Sequence, residues 1–235
     1  MPPESRSTLD DIRHFFLHRP QRRTLVEMSG AREREDMAER IAQRIGIDVE
    51  PYSVLNVHQI GIEAPVWLVF DEIARWSGQS PAWPNHVATV EGLDENRERV
   101  RITLLGDPSG RAHGRAWRVG ARLRTLFNMR LVDVHAEPAP EDQDNARYLV
   151  WECSGGYPIG VFSIYARSAI PSRGETEPTQ LFFAVGFNPY GRRLLSAIHP
   201  VRLTWEAIHN RVTGNILNRF KAMCEVRFAE LRSGS

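Results

Sequence analysis

Eight histidines and two cysteines are the groups in this 235-residue chain best suited to proton transfer, nucleophilic attack or metal binding. Cys153 stands beside Glu152, and Cys224 lies far downstream. The two thiols fit neither a zinc-ligand spacing nor a disulfide framework, and they are read as inert thiols of a reducing compartment. No Gly-x-Ser-x-Gly elbow, His-Glu-x-x-His pair or paired-cysteine motif occurs, which removes the usual sequence support for a hydrolase or a zinc site. The glycines of "CSGGYPIG" match neither a dinucleotide fingerprint nor a phosphate loop and read as a turn between strands. No metal and no cofactor is expected. A site assembled from distant strands leaves no compact motif, however, and His58 and His135 are the histidines that fall inside expected strands. An imidazole there can act as acid or base near neutral pH, and the competing, preferred reading of His58 is a histidine hydrogen-bonded inside the fold.

Arg111, Arg115, Arg118, Arg122 and Arg124, interleaved with Trp117, resemble the charge-and-stacking pattern of an RNA-binding surface. Strand alternation separates them. Arg118, Arg122 and Arg124 fall on one face, while Trp117, Val119, Ala121 and Leu123 fall on the other, as in a solvated outer face over an apolar inner one. Arg101 and Thr103 oppose Val100, Ile102 and Leu104 in the same way. The formal charge of +1 supplies no global field for nucleic acid or anionic lipid. Trp151, Tyr165, Phe183, Phe187, Tyr190 and Trp205 can wall an apolar cavity, with the tyrosines and tryptophans adding a donor that orients a ligand. The competing reading of these residues is a fully packed core. No run of about 18 apolar residues is present for a membrane span, and the first residues carry no apolar signal core, so the cytoplasm is the expected location.

Positioning these side chains falls to a helical start, a run of strands and a helical end. Thr8 with Asp11 forms a capping-box pattern ahead of "IRHFFLH", which Pro20 stops. Ser29 is the expected cap of "AREREDMAERIAQRIG", whose Met37, Ala38, Ile41, Ala42 and Ile45 make one apolar stripe and whose Gly46 supplies the stop. From residue 53 to 188 the period becomes that of strands, in "SVLNVHQI", "HVATVEGL", "ERVRITLL", "RAWRVGARL", "LVDVHAEP", "RYLVWEC", "VFSIYARS" and "QLFFAVGF". One helix interrupts them, opening at Pro65 and burying Val66, Val69, Phe70 and Ile73. The chain closes on a long helix over residues 192–231, with Val201, Trp205, Ile208, Val212, Ile216, Phe220, Met223 and Phe228 recurring every three or four positions. Pro200 starts or kinks it.

A sheet gripping one helix is the simplest way to bury both apolar faces. In "IEAPVWLVFDEIARW", then in "PAWPNHVATVEGLDE" and the terminal helix, the chain resembles the START/polyketide-cyclase superfamily, also called SRPBCC. Its helix-grip fold includes birch-pollen allergens, lipid-transfer START domains and bacterial aromatase/cyclases. The resemblance covers about residues 53–231. It implies an α+β helix-grip fold, with a curved antiparallel sheet of about seven strands around a long C-terminal helix. Residues 1–51 then form an N-terminal helical extension, which covers the cavity or makes a homodimer, and residues 52–235 form the helix-grip domain. The segment from Phe187 to Pro200 is also longer than a minimal member needs.

The same resemblance points Ile62 inward, so that by alternation Ile60, His58, Asn56 and Val54 share the concave face. The helical pair holding Trp67, Trp76 and Trp83 closes one end of the sheet, and "SPAWPNH" becomes a cavity rim. His86 is an entrance or strand-start surface residue. The implied function is binding or transfer of a hydrophobic or amphipathic small molecule, lipid or polyketide-like, against Asn56, His58, Phe70, Trp83, Trp151, Tyr165, Phe183 and Trp205. Burial of apolar ligand area drives such binding at roughly 25 cal/mol per Å². One alternative is a cyclase/aromatase-like enzyme in which His58 or Glu152 moves protons. The other is a protein-interaction module without an open cavity.

Overall fold

In the computed structural model the described residues are 13–74, 88–95, 99–104, 125–136, 146–154, 159–169, 178–188 and 199–234. A π-turn at Arg13–Leu17 precedes helix α1, Ala31–Ile45. Strand β1, Val54–Ile62, leads into helix α2, Val66–Ala74. Six strands follow: β2 (Ala88–Gly92), β3 (Arg99–Leu104), β4 (Thr125–Ala136), β5 (Arg147–Ser154), β6 (Ile159–Ser168) and β7 (Thr179–Phe187). Helix α3, His199–Ser233, ends the chain. The strands form one antiparallel sheet in the order β1-β7-β6-β5-β4-β3-β2. The stretch "RAWRVGARL", with its arginines and Trp117, lies outside the described residues, as do Trp76, Trp83, His86 and Tyr190.

Over β1, β5, β6 and β7 both faces of the sheet are covered. The inner face packs on α2 and α3 through Ile60, Ile62, Leu149, Trp151, Ile164 and Leu181, which meet Val69, Phe70, Leu217 and Phe220. The outer face packs on α1 through Leu55, Val57, Val150, Val161 and Ala184, which meet Ala38 and Ile45. Tyr52 joins that second layer by lying over Gly160 and Gly186; a Cβ at Gly160 would stand 2.0 Å from its ring, and one at Gly186 would stand 2.7 Å away. Gly160 is also the extra residue at a bulge between Ile159 and Val161.

Helix α2 begins as its sequence dictates. Pro65 needs no N–H in the first turn, and its carbonyl accepts from Leu68 and Val69 at 3.1 Å each. Val66, Val69, Phe70 and Ile73 are buried with Leu68, while Trp67 is 41% exposed. Gly46 terminates α1 in the left-handed conformation, φ 70°, with its N–H on the Ala42 carbonyl.

Three local expectations are corrected. The segment "IRHFFLH" makes only a π-turn, too close to Pro20 to continue, with Phe15 buried as its anchor. The residue capping α1 is Gly30, not Ser29. Ser29 contributes its backbone N–H to Glu33 Oε2 at 2.6 Å, and that bond holds the Glu33 carboxyl below its ordinary range. In α3, Ile208 is 46% exposed. The buried stripe instead runs through Gly214, Asn215, Leu217, Phe220, Lys221 and Cys224, because the helix covers one polar seam along the N-terminal segment as well as the sheet.

That segment closes the edge of the sheet. Val26 N–H donates to the Val57 carbonyl and Gln59 N–H to the Thr24 carbonyl, both at 2.8 Å, around a bridge between Leu25 and His58. An edge strand otherwise offers these groups to another chain. Upstream, the Asn215 carboxamide nitrogen lies 3.0 Å from the carbonyls of His14, Phe15 and His18. Asn218 grips Arg22 at both backbone groups, and the Arg219 guanidinium lies over the Phe15 ring.

Candidate functional site

Cross-strand register sorts the candidate residues into rows on the inner face. Asn56 pairs with Val185, Val185 with Phe162 and Phe162 with Trp151. The next row holds His58, Phe183, Ile164 and Leu149. The aromatic part is continuous: Trp151 and Phe162 stack at 5.4 Å between centroids, and Phe162 meets Phe183 at 5.3 Å. Asn56, His58, Phe70, Trp151 and Phe183 are therefore brought to one side of the sheet. Trp205 belongs to the first turns of α3.

Tyr165 and Glu152 are not part of that set. Tyr165 packs with the outer layer and bonds Arg44 Nη1 through its hydroxyl at 2.7 Å. Glu152 is exposed and alternates with inward-facing Trp151. A carboxylate there does not reach a molecule held between sheet and α3.

His58 is fully buried, and both ring nitrogens are engaged. Thr24 Oγ1 donates to Nδ1 at 2.9 Å, and Nε2–H donates to Asn210 Oδ1 at 3.1 Å. Burial, reinforced by His209 with its ring centroid 6.4 Å away, pushes its pKa down to about 4. His209 is itself pushed to about 4 by burial. At neutral pH His58 is an uncharged strut joining the N-terminal segment, β1 and α3, with no lone pair left for a substrate proton.

Asn56 has the opposite character. Its side chain is buried, and its Nδ2 has no hydrogen-bond partner among the described residues. Arg147, on the inward parity of β5, lies over the Phe70 ring at 5.6 Å with a buried Nε that likewise lacks a hydrogen-bond partner among them. Sequence reading missed Arg147, although its alternation with Leu149 and Trp151 carried the signal. It also missed the tie at the far end of β1, where Lys221 donates to the Gly61 carbonyl and pairs with Glu225, which accepts from Glu63 N–H. The Cys224 thiol is buried and raised to about 12, so it stays protonated. Among the described residues no cluster of His, Cys, Asp or Glu is arranged to hold a metal ion, and no helix is long and apolar enough to cross a membrane.

Among the described residues, seven antiparallel strands that hold a long C-terminal helix, with a helix after the first strand, define a START/polyketide-cyclase-like helix-grip fold. No family model and no curated protein matches the sequence. Similar solved structures include the Zhui aromatase/cyclase from a Streptomyces species, at 18% identity over 74% of this chain and 94% of that one, with a TM-score of 0.46. A START superfamily protein from Mycobacterium smegmatis is 12% identical over 75% of this chain and 98% of that one, with a TM-score of 0.38. A truncated norcoclaurine synthase from Thalictrum flavum is 10% identical over 70% and 93%, with a TM-score of 0.34. The likeness is one of fold, and it assigns no residue a role.

Proposed function

We propose that residues 52–235, with residues 1–51 as their extension, bind a hydrophobic or amphipathic small molecule between the inner sheet face and α3. Lipid and polyketide-like ring systems are the classes that suit it. The observation that carries this reading is Asn56 Nδ2, a buried donor with no partner among the described residues, on the same row as Phe162 and Trp151. Leaving such a donor unpaired costs roughly 1–3 kcal/mol. A ligand carbonyl or hydroxyl lying on the aromatic wall relieves that cost, and its apolar body adds roughly 25 cal/mol per Å² buried. Carriage rather than proton transfer is the work supported, since His58 has both nitrogens engaged.

Calorimetric titration with a dihydroxyanthraquinone and with laurate tests the assignment. Asn56→Ala should weaken the better ligand about tenfold, the equivalent of one lost buried hydrogen bond, and Trp151→Ala should weaken it further. Affinity unchanged in both folded variants removes the inner face as the site.

A further inference from the structure

The outer face of the sheet carries a cleft of its own, independent of the inner face. Its floor is a row of small side chains, Val57, Ala184 and Ser163, in register across β1, β7 and β6. One row further along, Phe182 and Tyr165 rise as an aromatic wall with centroids 5.9 Å apart. Met37, Ile41 and Ile45 of α1 form the opposite wall, and about 220 Å³ lies between them. The small row set beside the large one keeps the helix from seating flush on the sheet.

Three arginines stand around this apolar slot, and the described residues that line it include no Asp or Glu. Arg44 lies over the Tyr165 ring at 5.6 Å and Arg167 over the Phe182 ring at 5.5 Å, while Arg40 lines the same side of α1. Arg44 Nη1 donates to the Tyr165 hydroxyl at 2.7 Å and Arg167 Nη2 to Gln180 Oε1 at 3.0 Å, so the two guanidiniums are already oriented and have less freedom to lose when their remaining N–H groups take an anion. A cavity of about 150 Å³ accommodates a benzene ring, so this one has room for a bicyclic ring. We infer that the cleft between α1 and the outer sheet face is a second binding site, for a small aromatic carboxylate. Its ring would lie over Val57, Ala184 and Ser163, and its charge would meet Arg44 and Arg167.

Calorimetry on the full chain with 2-naphthoate, and with uncharged naphthalene-2-methanol as its control, decides the matter. The acid should bind one to one and at least about tenfold tighter than the alcohol, the margin of one charge-assisted contact. The double variant Arg44→Gln/Arg167→Gln should lose that margin, and Ala184→Leu should fill the floor and abolish binding. Ser163→Val serves the same purpose if Ala184→Leu does not fold. Asn56→Ala should leave 2-naphthoate binding unchanged, which separates this site from the inner one. No binding at millimolar acid, equal affinity for the alcohol, indifference to the arginine variants, or loss of binding in Asn56→Ala would each overturn the assignment.

Discussion

At the scale of single residues, the buried imidazole of His58 decides how the protein responds to acid. Its pKa falls from the ordinary 6.5 to about 4 on folding, so between those values the unfolded chain binds a proton that the native state refuses. Stability therefore rises with pH across this window; it is fully present above about 6.5 and is lost as pH falls through 4. The loss attributable to His58 is about 3 kcal/mol, and His209 titrates in the same direction. Urea midpoints at pH 7 and pH 4.5 should show the wild-type chain losing more stability than His58→Gln, which keeps a polar side chain but does not titrate. Equal losses in the two proteins would place the acid sensitivity elsewhere. Of the two readings open to this imidazole, acid/base group or histidine hydrogen-bonded inside the fold, its two bonds fit the second. Its type and inward parity were readable from the sequence, but its partners Thr24 and Asn210 lie 34 and 152 residues away and leave no local pattern.

Among the elements, those legible in the sequence were the ones whose local period settles the outcome. Helix α2 followed from Pro65 and its apolar stripe, the end of α1 from Gly46, and the inner parity of β1 from the family resemblance that points Ile62 inward, carried along the strand by alternation. Strand β6 was harder, because a strand covered on both sides is apolar at both parities; Tyr165 then reads as well for one face as for the other. Helix α3 misled for a related reason. Its buried stripe includes Asn215 and Lys221, polar residues that burial tolerates only because each finds backbone carbonyls to bond. Arg147 escaped notice because a strand cation reads as solvent-facing until α2 is placed above it. The Asn215 contacts carry a prediction of their own. Asn215→Leu, which keeps the heavy-atom count and branching, removes the two amide N–H donors that the carbonyls of His14, Phe15 and His18 share and should cost roughly 2–3 kcal/mol. Limited proteolysis followed by mass spectrometry should then cut within residues 13–28 well before the sheet; an unchanged cleavage order would mean that Asn218 and the β1 edge hold the segment alone.

At the scale of the whole molecule the described residues form three layers, with α1 on one face of the sheet and α2 with α3 on the other, and residues 13–51 supply one layer and one edge. They read in the sequence as an appendage because their apolar stripe is short and their charge is high. In the structure the stripe covers Leu55, Val57, Val150 and Val161, and residues 24–26 bond the outer edge of β1. Removing residues 1–51 therefore strips an apolar face and bares an unpaired strand edge together, two features that favour association between chains. It also removes the hydroxyl that satisfies His58 Nδ1. The chain 52–235 should bind an apolar fluorophore such as anilinonaphthalene sulfonate, elute as oligomers in size-exclusion chromatography with light scattering, and unfold at a lower urea midpoint than the full chain. If it is instead a dye-free monomer with an unchanged midpoint, the extension is detachable from the fold, and the cleft beneath α1 becomes an optional feature that the helix-grip domain does not require.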